Sequence, residues 1–151
     1  KIPNPDNMND NDNEILNEVI SQKNDIESNL NQFKFREALK SLINIARIGN
    51  KFLADTEPWK IKNENPERVE QILKTSFEIV SYLAVLSEPF IPHTSKKLKK
   101  MIGLNKSDWS NLDNLGREIN FNFTITNKEM LFRRIEDSEI EFQISRLKND
   151  I

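Results

Sequence analysis

Apolar residues recur at intervals of three and four along most of 14–103, the spacing of helices with a buried face. The clearest run is 35–54. There Phe35, Leu39, Leu42, Ala46, Gly49 and Leu53 alternate steps of four and three, and Ala38, Ile45, Ile48 and Phe52 form a second apolar face beside them. Two adjoining apolar faces predict a central helix that touches two neighbours. What remains of its circumference is a polar and basic strip of Arg36, Lys40, Asn44, Arg47 and Lys51.

An earlier helix is outlined by Ile15, Leu16, Val19, Ile20, Ile26 and Leu30, with Asn11 or Asp12 as its cap, although the stripe thins over 22–25. Glu57-Pro58-Trp59 ends the central helix, because the residue before proline is pushed out of the α region and the proline has no N–H. Asn65-Pro66-Glu67 reads as an N-cap with proline at the first helical position, ahead of Val69, Ile72, Leu73, Phe77, Val80, Leu83, Ala84 and Leu86. Pro89 and Pro92 break that helix, and 94–102 predicts a shorter one ending at Gly103 with Leu98, Met101 and Ile102 inward. Beyond it the pattern weakens. Trp109 and Leu112 lie in a loop-like stretch, 119–123 alternates like a lone strand, and Asp137 or Ser138 is placed to cap a final helix carrying Ile140, Phe142, Ile144 and Leu147.

The resulting organisation is an arm or linker over 1–13, a helical bundle core over 14–103, and a C-terminal loop plus helix packing on the bundle over 104–151. The fold class is all-α, a bundle of about four to five helices with a less regular C-terminal segment. Composition agrees. At 151 residues the chain has the size of one ordinary domain, and its three glycines and six prolines favour helices over a strand-and-turn architecture. A net charge of −2 drives no general attraction to polyanions, so nucleic acid would have to be met by a local basic surface. The absence of cysteine excludes disulfides and thiol catalysis. No apolar run is long enough to cross a membrane, and the first residues do not resemble a signal peptide, which fits a cytoplasmic setting. Because the sequence opens on Lys1, it is expected to be part of a longer chain.

Chemistry is sparse. Scattered glycines build no phosphate cradle, and a single histidine, His93, rules out a multi-histidine metal cluster; beside Pro92 and Thr94 it reads as a helix-start residue. Glu136, Asp137, Glu139 and Glu141 read as partners of a helix dipole left in water, and no catalytic or metal residue is expected. Lys96, Lys97, Lys99 and Lys100 form either a solvated helix face or a phosphate contact. Trp59, just past a helix end with Lys60 and Lys62 beside it, admits two readings. Its indole is either a stacking platform for an unpaired base or a staple folded back onto its own bundle.

The run Asn50-Lys51-Phe52-Leu53-Ala54-Asp55-Thr56-Glu57-Pro58-Trp59 resembles the signature of the methionyl-tRNA synthetase family in which an Asn, a basic residue and an aromatic precede Pro-Trp. Leu86-Ser87-Glu88-Pro89-Phe90-Ile91-Pro92-His93-Thr94 and Leu131-Phe132-Arg133-Arg134-Ile135 are similar to later segments of that family, in the same order, so the likeness covers about 15–147. The resemblance implies an anticodon-binding domain of the class Ia helical type. It implies that Trp59 stacks on an anticodon base, and that the partners are the tRNA(Met) anticodon loop and the catalytic domain of the same chain. Lys60, Lys62, Arg47 and Lys51 would steady nearby phosphates, and Asn50 is a candidate for reading a base edge or for a structural amide bond. The family's other well-known anticodon contacts, an Asn and an Arg on an earlier helix, would precede Lys1. No His-x-Gly-His motif occurs, and 96–101 does not match Lys-Met-Ser-Lys-Ser, so this chain is not expected to activate methionine. No cofactor is expected in it; ATP would belong to the catalytic domain. Two alternatives stay open: the anticodon module of another class I synthetase, and a helical protein-interaction module using the segment around Ile140 and Leu147.

Overall fold

The computed structural model describes residues 1–104, 106–110, 115, 119, 121, 123–125 and 129–149, and among them there are helices and no strands. In chain order the helices are α1 (Asp10–Asn31), α2 (Phe35–Thr56), the single turn α3 (Pro58–Ile61), α4 (Pro66–Leu86), α5 (Pro92–Met101) and α6 (Asp137–Asn149). The heart of the fold is a triangle in which α1, α2 and α4 each pack on the other two, with α3 and α5 against α4.

α2 buries Ala38, Leu42, Ile45, Ile48 and Phe52 and does touch two neighbours. Only part of its other apolar face is covered, for Phe35 and Leu39 stand exposed. Leu42 of the same stripe is buried and Leu53 packs on the core, so the stripe is uncovered only over the first turns of α2. Gly49 lets α2 and α4 come close, since a Cβ there would lie 3.1 Å from Cγ2 of Ile79.

α1 begins earlier than its apolar stripe suggests. Asn9, not Asn11 or Asp12, is the N-cap, its Oδ1 accepting from the Asn11 N–H at 2.9 Å. Asp12 is withdrawn from capping by a partner 56 positions away. Its carboxylate, fully buried, accepts both guanidinium nitrogens of Arg68 on α4, at 2.5 and 2.7 Å. A carboxylate taken wholly out of water is tolerated only when paired in this way, and the bidentate fork fixes how α1 meets α4.

α4 starts as its sequence predicts, with Pro66 in the first turn and the Asn65 side chain accepting the Arg68 N–H at 3.1 Å. The arm then lies along this helix. Gln71 donates to the Asn7 carbonyl at 2.9 Å and Lys74 to the Pro5 carbonyl at 3.2 Å, while Ile2 is buried and donates its N–H to the Phe123 carbonyl. α5 is tied to α4 by Ser95, whose hydroxyl donates to the Ala84 carbonyl at 2.6 Å; it starts at Pro92, two residues before the expected 94, and past its cap Ile102 the chain turns at Gly103 with φ +80°. The Phe123 ring occupies the space a side chain at 103 would need, 2.7 Å from an ideal Cβ.

The strand-like alternation after α5 has another origin. Ile119 is buried in the core, and Phe121 and Phe123 pack against it, with Phe121 6.2 Å from the Phe77 ring. Single apolar side chains plug the bundle there, and Asn120, Asn122 and Leu112 lie outside the described residues. α6 forms where a helix is expected, but Asp137 and Ser138, the expected caps, are its first two residues. The N–H groups of Glu139 and Ile140 donate to the Glu136 carbonyl, and the Glu139 carboxylate accepts from the Glu136 N–H at 3.1 Å. α6 does not pack on the bundle as expected: Ile140, Phe142, Ile144 and Leu147 are all exposed. Its local cap and the Arg133–Glu139 pair hold the helix instead.

Candidate nucleic-acid interface

The end of α2 is shaped by a steric conflict. Glu57, pressed by the following proline, adopts the left-handed region at φ 40° and ψ 55°, and its N–H closes the last turn on the Leu53 carbonyl at 3.1 Å. Pro58 then opens α3, whose one turn is closed by the Lys60 N–H on the Glu57 carbonyl at 2.8 Å. In that turn Pro58 is buried and Ile61 packs against the core. Trp59 between them faces water with 57% of its surface exposed. The staple reading is therefore not realised. Proline takes the inward position, and the indole is left as an open apolar plane.

Around this turn the expected basic residues are arranged unequally. Lys60 and Lys62 are both exposed, but Lys60 is held by Glu57 at 2.8 Å, a surface pair of small energetic weight that a competing anion can displace. Farther up α2, Arg47 and Lys51 line a cleft of about 380 Å³ between α1 and α2. The cleft also holds Glu18 and Asp55, so its charge is mixed, and Ile48 and Phe52 contribute apolar surface. Trp59 does not line it. Asn50 is exposed and makes no hydrogen bond through its side chain among the described residues, which leaves its amide open to solvent. Asn44, from the same strip, is instead spent on Gln22 of α1 at 3.4 Å.

The other chemically suggestive groups resolve structurally. His93 lies exposed in the first turn of α5. Glu139 is clamped by both nitrogens of Arg133 and accepts from the Glu136 N–H, and these hydrogen bonds hold its carboxyl down to about 2. An acid so strongly favoured as the anion is no proton donor near neutrality. No group of three metal-ligating side chains occurs among the described residues. The α1 side of the cleft, with Asn11 and Glu18, was not anticipated from sequence. Its only sequence signal is the hydrophobic spacing of α1, which does not say which polar residues meet α2.

Fold and site together define an all-helical bundle with an outward indole and exposed basic side chains toward one end. A family model described as the anticodon binding domain of methionyl tRNA ligase matches residues 2–149. The chain is 42% identical over 149 residues to a protein named methionine–tRNA ligase from Bacteroides fragilis, covering 97% of this chain and 22% of that protein. A methionine–tRNA ligase from Cytophaga hutchinsonii is 45% identical over 124 residues, covering 82% and 18%, and one from Porphyromonas gingivalis is 39% identical over 149 residues, covering 98% and 22%. The chain therefore belongs to the family of methionyl-tRNA ligase anticodon-binding domains, and it spans about a fifth of the length of these relatives. No helix among the described residues is long and apolar enough to cross a membrane.

Proposed function

We propose that this chain holds the anticodon loop of tRNA(Met) on behalf of a longer, ATP-dependent methionine–tRNA ligase working in the cytoplasm. Trp59 stacks on an unstacked anticodon base, and Lys60, Lys62, Arg47 and Lys51 steady the neighbouring phosphates. The observation that carries this reading is the outward Trp59 beside the buried Pro58. A large apolar ring costs least when covered, and an unpaired base is a flat partner that covers it without any backbone change. The exposed Asn50 amide supplies donor and acceptor groups of the kind that read a base edge. ATP and the ligation chemistry belong to the catalytic domain of the same ligase.

The test is binding of a methionine anticodon stem-loop, and of one with a changed anticodon, to the chain and to Trp59→Ala. Loss of one stacked base is worth about 1–3 kcal/mol, so the substitution is expected to weaken the matched RNA by roughly 5- to 150-fold. The discrimination between the two RNAs narrows with it. Equal, salt-sensitive binding of both RNAs by both proteins would reduce the interaction to unspecific charge contact and remove the role given to Trp59.

A further inference from the structure

The lysine cluster of α5 is divided by the fold. On a helix, positions 93, 96, 97 and 100 are separated by three, four and seven and share one face. His93, Lys96, Lys97 and Lys100 are all exposed there, whereas Ser95 is buried and Leu98 packs on the core. Lys99 leaves the group. It is 7% exposed, and its ammonium donates to Glu88 at 3.2 Å and to the Ser107 carbonyl at 3.1 Å. α5 contains no acidic residue, and Glu88 is the acid that lines the depression of about 540 Å³ flanked by His93, Lys96 and Lys100. Buried Lys99 already engages Glu88, the one acid among the described residues that lines this depression. None of Lys96, Lys97 and Lys100 makes an ion pair among the described residues. In a chain of net charge −2, such a face stands out.

We infer that the His93, Lys96, Lys97 and Lys100 face of α5 is a second RNA contact, binding the phosphodiester backbone without reading sequence. The inference rests on the anticodon reading above and extends it away from the loop. Trp59 lies just before α4 and α5 just after it, and the 21 residues of α4 separate the two by about 30 Å. Along a duplex strand that distance corresponds to on the order of ten nucleotides, so a tRNA seated at Trp59 with its arm running along α4 brings backbone from beyond its anticodon stem to α5. Lysines suit such a contact, because each is a point charge on a flexible stem that follows a backbone without fixed geometry.

The experiment compares whole tRNA(Met) with its isolated anticodon stem-loop, over a range of salt, on the unchanged chain and three variants. These are Lys96→Gln/Lys97→Gln/Lys100→Gln, the same three positions changed to Arg, and Trp59→Ala. The glutamine variant is expected to bind whole tRNA roughly tenfold more weakly and to lose about 2–3 units of the log–log salt slope, one per phosphate contact. Its stem-loop binding should be unchanged, and the arginine variant should bind as the unchanged chain does. Trp59→Ala should weaken both RNAs. Unchanged tRNA affinity and slope in the glutamine variant overturns the inference, as does equal weakening of the stem-loop. A loss on lysine replacement with no effect of Trp59→Ala keeps the α5 contact and removes the stacking role. Lysine-dependent binding to vesicles of anionic phospholipid, with tRNA binding unaltered, would assign the face to a membrane surface instead. Failure of the unchanged chain to bind either RNA overturns both readings.

Discussion

Two carboxylate–guanidinium forks of nearly equal geometry sit in opposite parts of this molecule. Asp12 and Arg68 join α1 to α4 inside the bundle, with 0% and 19% of their side chains exposed, whereas Arg133 and Glu139 join two neighbours in sequence at 68% and 40%. Both are bidentate. The first lies where the Asp12 carboxylate left alone is an unsolvated ion, and the second where water replaces whichever partner is lost. Burial, not bond length, decides what a fork does for the fold. The same contrast separates the bundle, held by a shared core, from α6, held by its own cap with its apolar side chains uncovered.

The sharpest break of the comparison is Asp12→Ala. It leaves Arg68 without its carboxylate, and since that side chain is 19% exposed and Nη1 still donates to Gln71 at 3.0 Å, the loss belongs at the lower end of the range for a broken buried pair, about 3 kcal/mol. Urea unfolding followed by far-UV circular dichroism measures it. Arg68→Met in the same background removes the stranded charge and should restore part of the stability. If the single change costs less than a surface substitution, the fork is not what orients α1 on α4.

The pair at Asp12 also shows where sequence stops being legible. α2 and α4 are readable because their apolar periodicity and their proline boundaries are local signals, and Asn65-Pro66 and Gly103 mark ends just where they occur. Asp12 looks like a cap until the fold brings Arg68 to it, and only then does the cap move to Asn9. The same limit applies to the site. Pro58-Trp59 is compatible with an inward or an outward indole; which one is realised depends on Pro58 filling the inner position, a matter of packing. Apart from the family likeness, nothing in the sequence pointed to the outward choice. Residues 119–123 misled for a related reason. Alternation reports that side chains point two ways, and here Phe121 and Phe123 reach the bundle with no strand among the described residues.

A smaller effect is expected at the join between the two regions, where Gly103 meets Phe123. Gly103→Ala forces a side chain into a left-handed backbone at φ +80° and a Cβ to within 2.7 Å of the ring. The backbone conflict alone costs about 1–2 kcal/mol, and displacing Phe123 adds to it. Thermal unfolding should shift downward by several degrees, roughly in proportion for a domain of this size. Phe123→Ala in the alanine background relieves the contact but not the backbone strain, so it should recover only part. Full recovery would mean that the positive φ carries no strain.

Glu139→Gln tests the exposed fork and should change global stability least of all. Its carboxyl is held at about 2 against an ordinary 4.5, first by the hydrogen bond from Arg133 and then by the Glu136 N–H. The folded value is the lower one, so the contribution to α6 is fully present above about 4.5 and is lost as pH falls through about 2. Over that window the backbone amides of α6 should lose their helical chemical shifts in the unchanged protein while those of α1, α2 and α4 keep theirs. In Glu139→Gln the neutral amide still reaches the Glu136 N–H but offers Arg133 no charge, so α6 should be frayed already at neutral pH and show no transition in the acid range. Salt at about 1 M, where the screening length falls to about 3 Å, should imitate the substitution in α6 and leave the Asp12–Arg68 junction unaffected. If acid or salt loosens α1 together with α6, the two forks are coupled and the division between a core-held bundle and a cap-held helix does not stand.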